Sequence, residues 1–208
     1  ILLIKPAARD NPRLYFDLGL TYMALGEEQK AEQAYLKTIQ LDQNYAPAWN
    51  NLGQVYMVRG SYSQAEQAFK KALSILTYLT PEFAAYNLAH LYLRQKRIDL
   101  ALQYASLSIK KNWRYVPGYL LAAKLYLQKG QLNKAIDLLK QGVEANPDNT
   151  QIILKLAEYL LKTDPDAADA STSPNPYEQA RYYFKQILAI NPACQEAQVA
   201  RDYLDFLQ

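Results

Sequence analysis

Residues 47–73 read PAWNNLGQVYMVRGSYSQAEQAFKKAL, and their spacing decides how the rest of the chain is read. With Ala46 as position 1, the stretch has Trp49 at 4, Leu52 at 7, Gly53 at 8, Tyr56 at 11, Gly60 at 15, Tyr62 at 17, Ala65 at 20, Phe69 at 24 and Ala72 at 27. Each half reads as an amphipathic helix, since the apolar positions recur at i, i+3, i+4 and i+7. Gly60 falls where the first helix must stop and turn, a place suited to a left-handed C-cap residue.

The same pattern appears 34 residues earlier, with Tyr15, Leu18, Gly19, Tyr22, Gly26, Ala31 and Tyr35 in the matching places. A third unit, 82–115, starts 36 residues after the second and carries Leu88, Ala89, Tyr92 and Ala101. Its two extra residues lie in Leu76–Pro81, where Thr80 is expected to N-cap the next helix and Pro81 to take its first position. Lys96 replaces the turn glycine there and Ala105 the aromatic at 24. A fourth unit, 116–149, restores the step with Tyr119, Ala123, Tyr126, Gly130, Leu132, Ala135 and Pro147. The fifth, 150–192, opens with Leu156 and Ala157 and resumes with Tyr177, Ala180, Phe184 and Pro192, after a Pro/Asp/Ser/Ala segment over 163–176. That segment has no apolar periodicity and reads as an enlarged loop. Residues 193–208 read as a last amphipathic helix that closes the array.

This set of positions resembles the tetratricopeptide repeat (TPR) signature. The resemblance implies an all-α fold: a right-handed superhelix of about five helical hairpins, repeats 12–45, 46–79, 82–115, 116–149 and 150–192, in one domain over 1–208 with a capping helix. Small residues at 8 and 20 are expected where paired helices approach most closely. An isolated helix of about 12–15 residues is marginal in water, so each hairpin depends on its neighbours.

Composition agrees with a folded helical chain. Of 208 residues, 50% are hydrophobic and 21% charged, the ordinary globular range. The net charge of +3 is too small and dispersed to argue for nucleic acid. Cys194 and His90 are single, which excludes an intrachain disulfide and a Cys/His metal cluster. The apolar tetrad Ile1–Ile4 is far shorter than the roughly 20 residues a membrane span needs and is expected to cover the first repeat. There is no Gly-rich phosphate loop, H-E-x-x-H or nucleophile elbow, so neither catalysis nor a cofactor is expected.

Function is therefore expected at a surface. The TPR resemblance implies that the first helix of each hairpin lines a concave groove through positions 2, 5, 9, 12 and 13. From the first repeat these include Phe16, Leu20 and Met23; from the second, Asn50, Gln54 and Met57; from the third, Phe83, Tyr86, His90, Leu93 and Arg94; from the fourth, Leu120, Lys124 and Gln128. The lining grades from apolar and Met-containing to polar and basic, which suits a protein or peptide partner. Some of these side chains are equally expected to pack against the next repeat. The clamp with which one TPR subclass holds chaperone C-termini is matched only at Asn51, so that ligand is disfavoured.

The stretch Tyr78-Leu79-Thr80-Pro81-Glu82-Phe83-Ala84-Ala85-Tyr86-Asn87-Leu88-Ala89, with Arg114-Tyr115 and GQLNKAIDLLKQGVEANPDN from Gly130, resembles the type IV pilus pilotin family of TPR lipoproteins. That resemblance implies a non-enzymatic scaffold at the periplasmic face of the outer membrane that binds the secretin subunit and helps it assemble. It also implies peripheral attachment through an N-terminal lipid anchor missing from this chain, and the lipid-bearing Cys of the family is absent at its start. A generic TPR adaptor in the cytoplasm or at a membrane, and a TPR domain from a larger enzyme, are the alternatives.

Overall fold

A computed structural model describes residues 10–163 and 175–207, and these form eleven helices with no strand. The first unit of the chain ends at Lys111 and holds α1 (Pro12–Ala24), α2 (Glu28–Leu41), α3 (Ala46–Val58), α4 (Tyr62–Ser74), α5 (Pro81–Arg94) and α6 (Ile98–Lys111). The second begins at Asn112 and holds α7 (Val116–Gln128), α8 (Leu132–Ala145), α9 (Thr150–Leu160), α10 (Pro176–Ile190) and α11 (Gln195–Phe206). Odd-numbered helices open at position 1 of the repeat frame, α5 one residue earlier at Pro81, and all but the last, α11, are followed by an antiparallel partner. The all-α TPR fold read from the sequence is the fold observed.

One turn is built four times. Gly26, Gly60, Lys96 and Gly130, all at position 15, take φ of 73°, 75°, 60° and 70°. In each turn the next residue donates its N–H to the carbonyl of the Tyr at position 11: Glu27 to Tyr22 at 2.8 Å, Ser61 to Tyr56 at 2.8 Å, Arg97 to Tyr92 at 2.9 Å and Gln131 to Tyr126 at 2.9 Å. With the bond from the left-handed residue to position 12, this is a Schellman close. Lys96 adopts the geometry without glycine's freedom from Cβ strain.

Inside the hairpins, the small residue at 8 is read against the side chain at 24. A Cβ on Gly19 would lie 2.4 Å from Tyr35 Cε1, and one on Gly53 2.6 Å from Phe69 Cε1. An aromatic ring occupies the glycine's place, and Tyr35 and Phe69 are fully buried by it. This sharpens the expectation of bare helix–helix approach: the space is filled by a ring. In the third hairpin Ala89 faces a repeat with Ala105 at 24, and its aromatic volume comes instead from Tyr92 stacked on Tyr104, with centroids 5.3 Å apart. In the second unit Gly142 is a further close approach, with Ile152 Cδ1 2.3 Å from the place of its Cβ.

The position-4 aromatics also hold the junctions. Trp49 Nε1 donates to the Gln43 carbonyl at 2.9 Å, and Tyr119 Oη to the Trp113 carbonyl at 2.9 Å, each six residues upstream. A buried aromatic body with a polar tip satisfies both demands. Most junctions between hairpins are four residues long, and at three of them an Asx side chain accepts an N–H two residues on: Asp42 from Asn44, Asn112 from Arg114, and Asn191 from Ala193. The junction between α4 and α5 runs from Ile75 to Thr80, two residues longer, as the frame shift indicated. Pro81 takes the first helical position of α5, as expected. Thr80 corrects the expectation: it stands at the N-cap, but its side chain makes no capping bond and faces the Tyr78 phenol instead.

In the second unit α10 packs on α9, so the fifth hairpin closes across the interruption. The loop expected over 163–176 lies, apart from Thr163, Asn175 and Pro176, outside the described residues, as does the Ile1–Ile4 tetrad. Asn175 caps α10 by accepting the Tyr177 N–H at 2.8 Å. In α11, Ala197 and Ala200 are fully buried and Tyr203 stacks on Phe184, with centroids 4.9 Å apart. Its opposite side carries exposed Gln198, Arg201, Asp202 and Asp205, at frame positions where α1 has Tyr15, Leu18, Gly19 and Tyr22. That polar side suits a capping helix, because it has no apolar face to give to a pairing helix.

Candidate protein-binding face

The first unit presents α1, α3 and α5 as successive first helices, and α3 touches α5 directly. Rows of equivalent residues run across them. Position 5 gives Phe16, Asn50 and Tyr86; position 9 gives Leu20, Gln54 and His90; position 12 gives Met23, Met57 and Leu93.

The position-5 row serves the fold as much as the surface. Phe16 packs on Tyr35 and Tyr45 at 5.9 and 5.1 Å between centroids, and Met23 joins the same cluster. Asn50 is 5% exposed. Its Oδ1 accepts from Asn87 Nδ2 at 2.9 Å and its Nδ2 donates to Asn51 Oδ1 at 3.4 Å. A buried amide needs such partners, and this one ties the second repeat to the third. It leaves Asn50 little surface for a ligand. The signal for the pair was present in the sequence as Asn at 5 of one repeat and at 6 of the next.

The remaining residues form the accessible part. Leu20 is 44% and Phe83 43% exposed; Gln54, Met57, Tyr86, His90 and Leu93 are half-buried, and Arg94 is exposed. The Tyr86 and His90 rings meet edge to face at 4.5 Å, so the two form one aromatic platform beside Arg94 in the last turn of α5. Burial pushes the Tyr86 hydroxyl above its ordinary pKa, which keeps it a neutral hydrogen-bonding group. Val58, 58% exposed, also belongs to this face, and its signal in the sequence is its place at position 13 of the second repeat. In the second unit α7 exposes Lys124 and Gln128, with Leu120 half-buried beside them.

Behind α5, Glu66, Lys70, Tyr92 and Arg97 form a polar network that serves the hairpin. Lys70 Nζ bonds Glu66 Oε1 at 2.6 Å, and Arg97 lies over the Tyr92 ring, 4.9 Å from its centroid. Burial, with the Glu66 carboxylate next, pushes the Tyr92 phenol up to about 12.

A family model described as the cilia and flagella-associated protein 70 C-terminal domain, a TPR family, matches residues 2–181. The chain belongs to that TPR family. Over shorter stretches this TPR chain is 34% identical to the BBSome complex member BBS4 of Bos taurus across 77 residues, 37% of the chain and 15% of that protein. It is 32% identical to the E3 SUMO-protein ligase RanBP2 of Homo sapiens across 79 residues, 38% of the chain and 2% of that protein. The matched stretch is thus a small part of each relative. Among solved structures, the Pseudomonas aeruginosa pilF structure superposes with a TM-score of 0.66 at 20% identity, covering 96% of this chain and 90% of that one. The C-terminal part of a TPR repeat-containing protein from Cytophaga hutchinsonii gives 0.70 at 17% identity, covering 95% and 76%. YrrB, described as a TPR protein with an unusual peptide-binding site, gives 0.57 at 20%, covering 93% of each chain. These likenesses show the TPR fold.

Proposed function

We propose that this TPR chain is a non-enzymatic scaffold whose first-helix face on α1, α3 and α5 holds a segment of another protein. The fold is a protein-interaction scaffold, and the observation that favours this face is its graded lining. Leu20, Met23 and Met57 offer deformable apolar surface at one end. Phe83, Tyr86, His90 and Arg94 offer an aromatic platform with a cation at the other. A segment that lays apolar side chains on the first end and a carboxylate or carbonyl on the second satisfies both.

A photo-crosslinking residue at position 94 tests this against one at Gln103, an exposed site on α6. Position 94 is expected to capture discrete proteins that position 103 does not. Equal capture at both sites would contradict the assignment.

A narrower reading, a pilotin-like role at the periplasmic face of the outer membrane with a secretin subunit as partner, is supported by the lengthened junction before α5 and the residues around it. Co-purification of a secretin with the tagged chain is the result it requires. Recovery of other proteins without a secretin would leave the generic TPR adaptor, in the cytoplasm or at a membrane, in its place.

A further inference from the structure

The junction between α4 and α5 departs from its counterparts in chemistry as well as length. Position 31 is Asp42, Asn112, Asn146 and Asn191 in the other repeats and Leu76 here. Where Asp42, Asn112 and Asn191 fold a side chain back onto the turn, Leu76 projects fully into solvent, and Leu79 is 94% exposed. Between them Tyr78 turns inward: it is 8% exposed and packs with Ala46, Ala72, Ile75 and Ala84. Its N–H bonds the Ile75 carbonyl at 3.1 Å. The loop is therefore anchored by its centre, and the two leucines are presented on a fixed base.

Beside the loop lies a cavity of about 370 Å³, bounded by Leu79, Tyr78 and Thr77 on one side and by Asp42 and Tyr45 of the preceding junction and Pro47 at the start of α3 on the other. Asp42 is its only charged lining residue. An apolar recess of that size takes one large side chain as an anchor. A carboxylate at its rim favours a cation on the arriving segment.

We propose that this edge is a second docking site, separate from the first-helix face, for an extended protein segment that seats a Leu, Met or Phe side chain in the recess, packs on Leu76 and Leu79, and pairs an adjacent Lys or Arg with Asp42. An anionic lipid surface is the poorer fit, because the recess has a carboxylate and no cation in its lining.

The test pans a phage-displayed random peptide library on the intact chain and titrates the enriched synthetic peptides by fluorescence anisotropy. The variants are Leu76→Ser/Leu79→Ser, Asp42→Asn and Tyr86→Ala/Arg94→Ala. Asp42→Asn keeps the turn oxygen that Asn112 and Asn191 supply elsewhere. Enriched peptides are expected to place a large apolar residue next to Lys or Arg. The double serine variant is expected to weaken them at least about tenfold at an unchanged melting temperature. Asp42→Asn is expected to weaken them about threefold at low salt, with the difference vanishing at high salt. Tyr86→Ala/Arg94→Ala should leave their affinity unchanged, which keeps this site distinguishable from the first-helix face. Failure to enrich peptides, enrichment of acidic ones, or undiminished binding to the double serine variant would overturn the proposal. Co-sedimentation with phosphatidylserine vesicles that is lost in the double serine variant would assign the leucines to lipid and overturn it as well.

Discussion

The second and third hairpins, α3–α4 and α5–α6, share one frame and solve its interior differently. The second pairs Gly53 with Phe69, whose ring fills the glycine's place. The third has Ala89 and Ala105 at those positions and stacks Tyr92 on Tyr104. The second turns on Gly60, the third on Lys96, at nearly the same φ. What the repeat specifies is thus a volume shared by positions 8 and 24 and a backbone turn at 15, and the residues that supply them are interchangeable only in matched sets. The surface follows the same division. The second hairpin buries Asn50 in the inter-repeat contact, whereas the third exposes Phe83 and Arg94 and offers the Tyr86–His90 platform.

The largest effect is expected at the tightest contact, Gly53 against Phe69. Gly53→Leu forces a side chain into the Phe69 ring and is expected to destabilise the first unit by about 3 kcal/mol or more, read from denaturant midpoints. Ala89→Gly, at the same position of the third hairpin, removes only a methyl and helix propensity and should cost about 1 kcal/mol. Equal losses would refute the pairing of 8 with 24. The pairing also predicts non-additivity. Phe69→Ala alone opens a cavity and is expected to cost about 3–5 kcal/mol. Gly53→Ala alone clashes with the ring. Together the two convert the second hairpin to the third's pair, so the double variant should lose less than the sum of the singles.

Lys96→Gly relieves a left-handed residue that carries a Cβ and is expected to stabilise by about 0.5–1 kcal/mol, seen as a higher melting temperature. Gly60→Lys should lose a similar amount. The smallest effect is electrostatic. The Tyr92 phenol is held up to about 12 by burial and by Glu66, above its ordinary value of 10.0. Neutral Tyr92 is favoured in the folded state, so its contribution is complete below pH 10 and is lost as pH rises from about 10 through about 12. Tyr92→Phe should flatten that alkaline part of the melting-temperature profile and remove the late step in phenolate absorbance.

Most of the fold was legible because a repeat states its own register several times. The helix starts, the left-handed turn at Gly26, Gly60 and Gly130, the two-residue insertion before Pro81 and the resumption at Tyr177 all follow from spacing alone. Pairwise facts were less legible. Position 8 reads as small in every repeat, but it is the packed hairpin that puts the Tyr35 and Phe69 rings in the space. Gly142 gives no motif signal, since its need is set by Ile152 and Tyr119 from other helices. At the binding face, the repeat resemblance put Leu20, Phe83 and Arg94 on the groove side but could not separate them from Asn50, whose burial depends on Asn87 in the next repeat. Leu76 and Leu79 read as part of a lengthened junction. Their exposure follows from Tyr78 turning inward, a choice that three-dimensional packing makes.

The third hairpin is proposed to carry binding on side chains that do not carry the fold. Tyr86→Ala with Arg94→Ala tests it most directly, by measuring the melting temperature and the yield of proteins crosslinked or co-purified through the first unit in the same preparation. Unchanged helical content and melting are expected, with partner yield reduced about tenfold or more. Undiminished partner yield at unchanged melting would contradict the placement of the site, and a lowered melting temperature would show that these residues belong to the core.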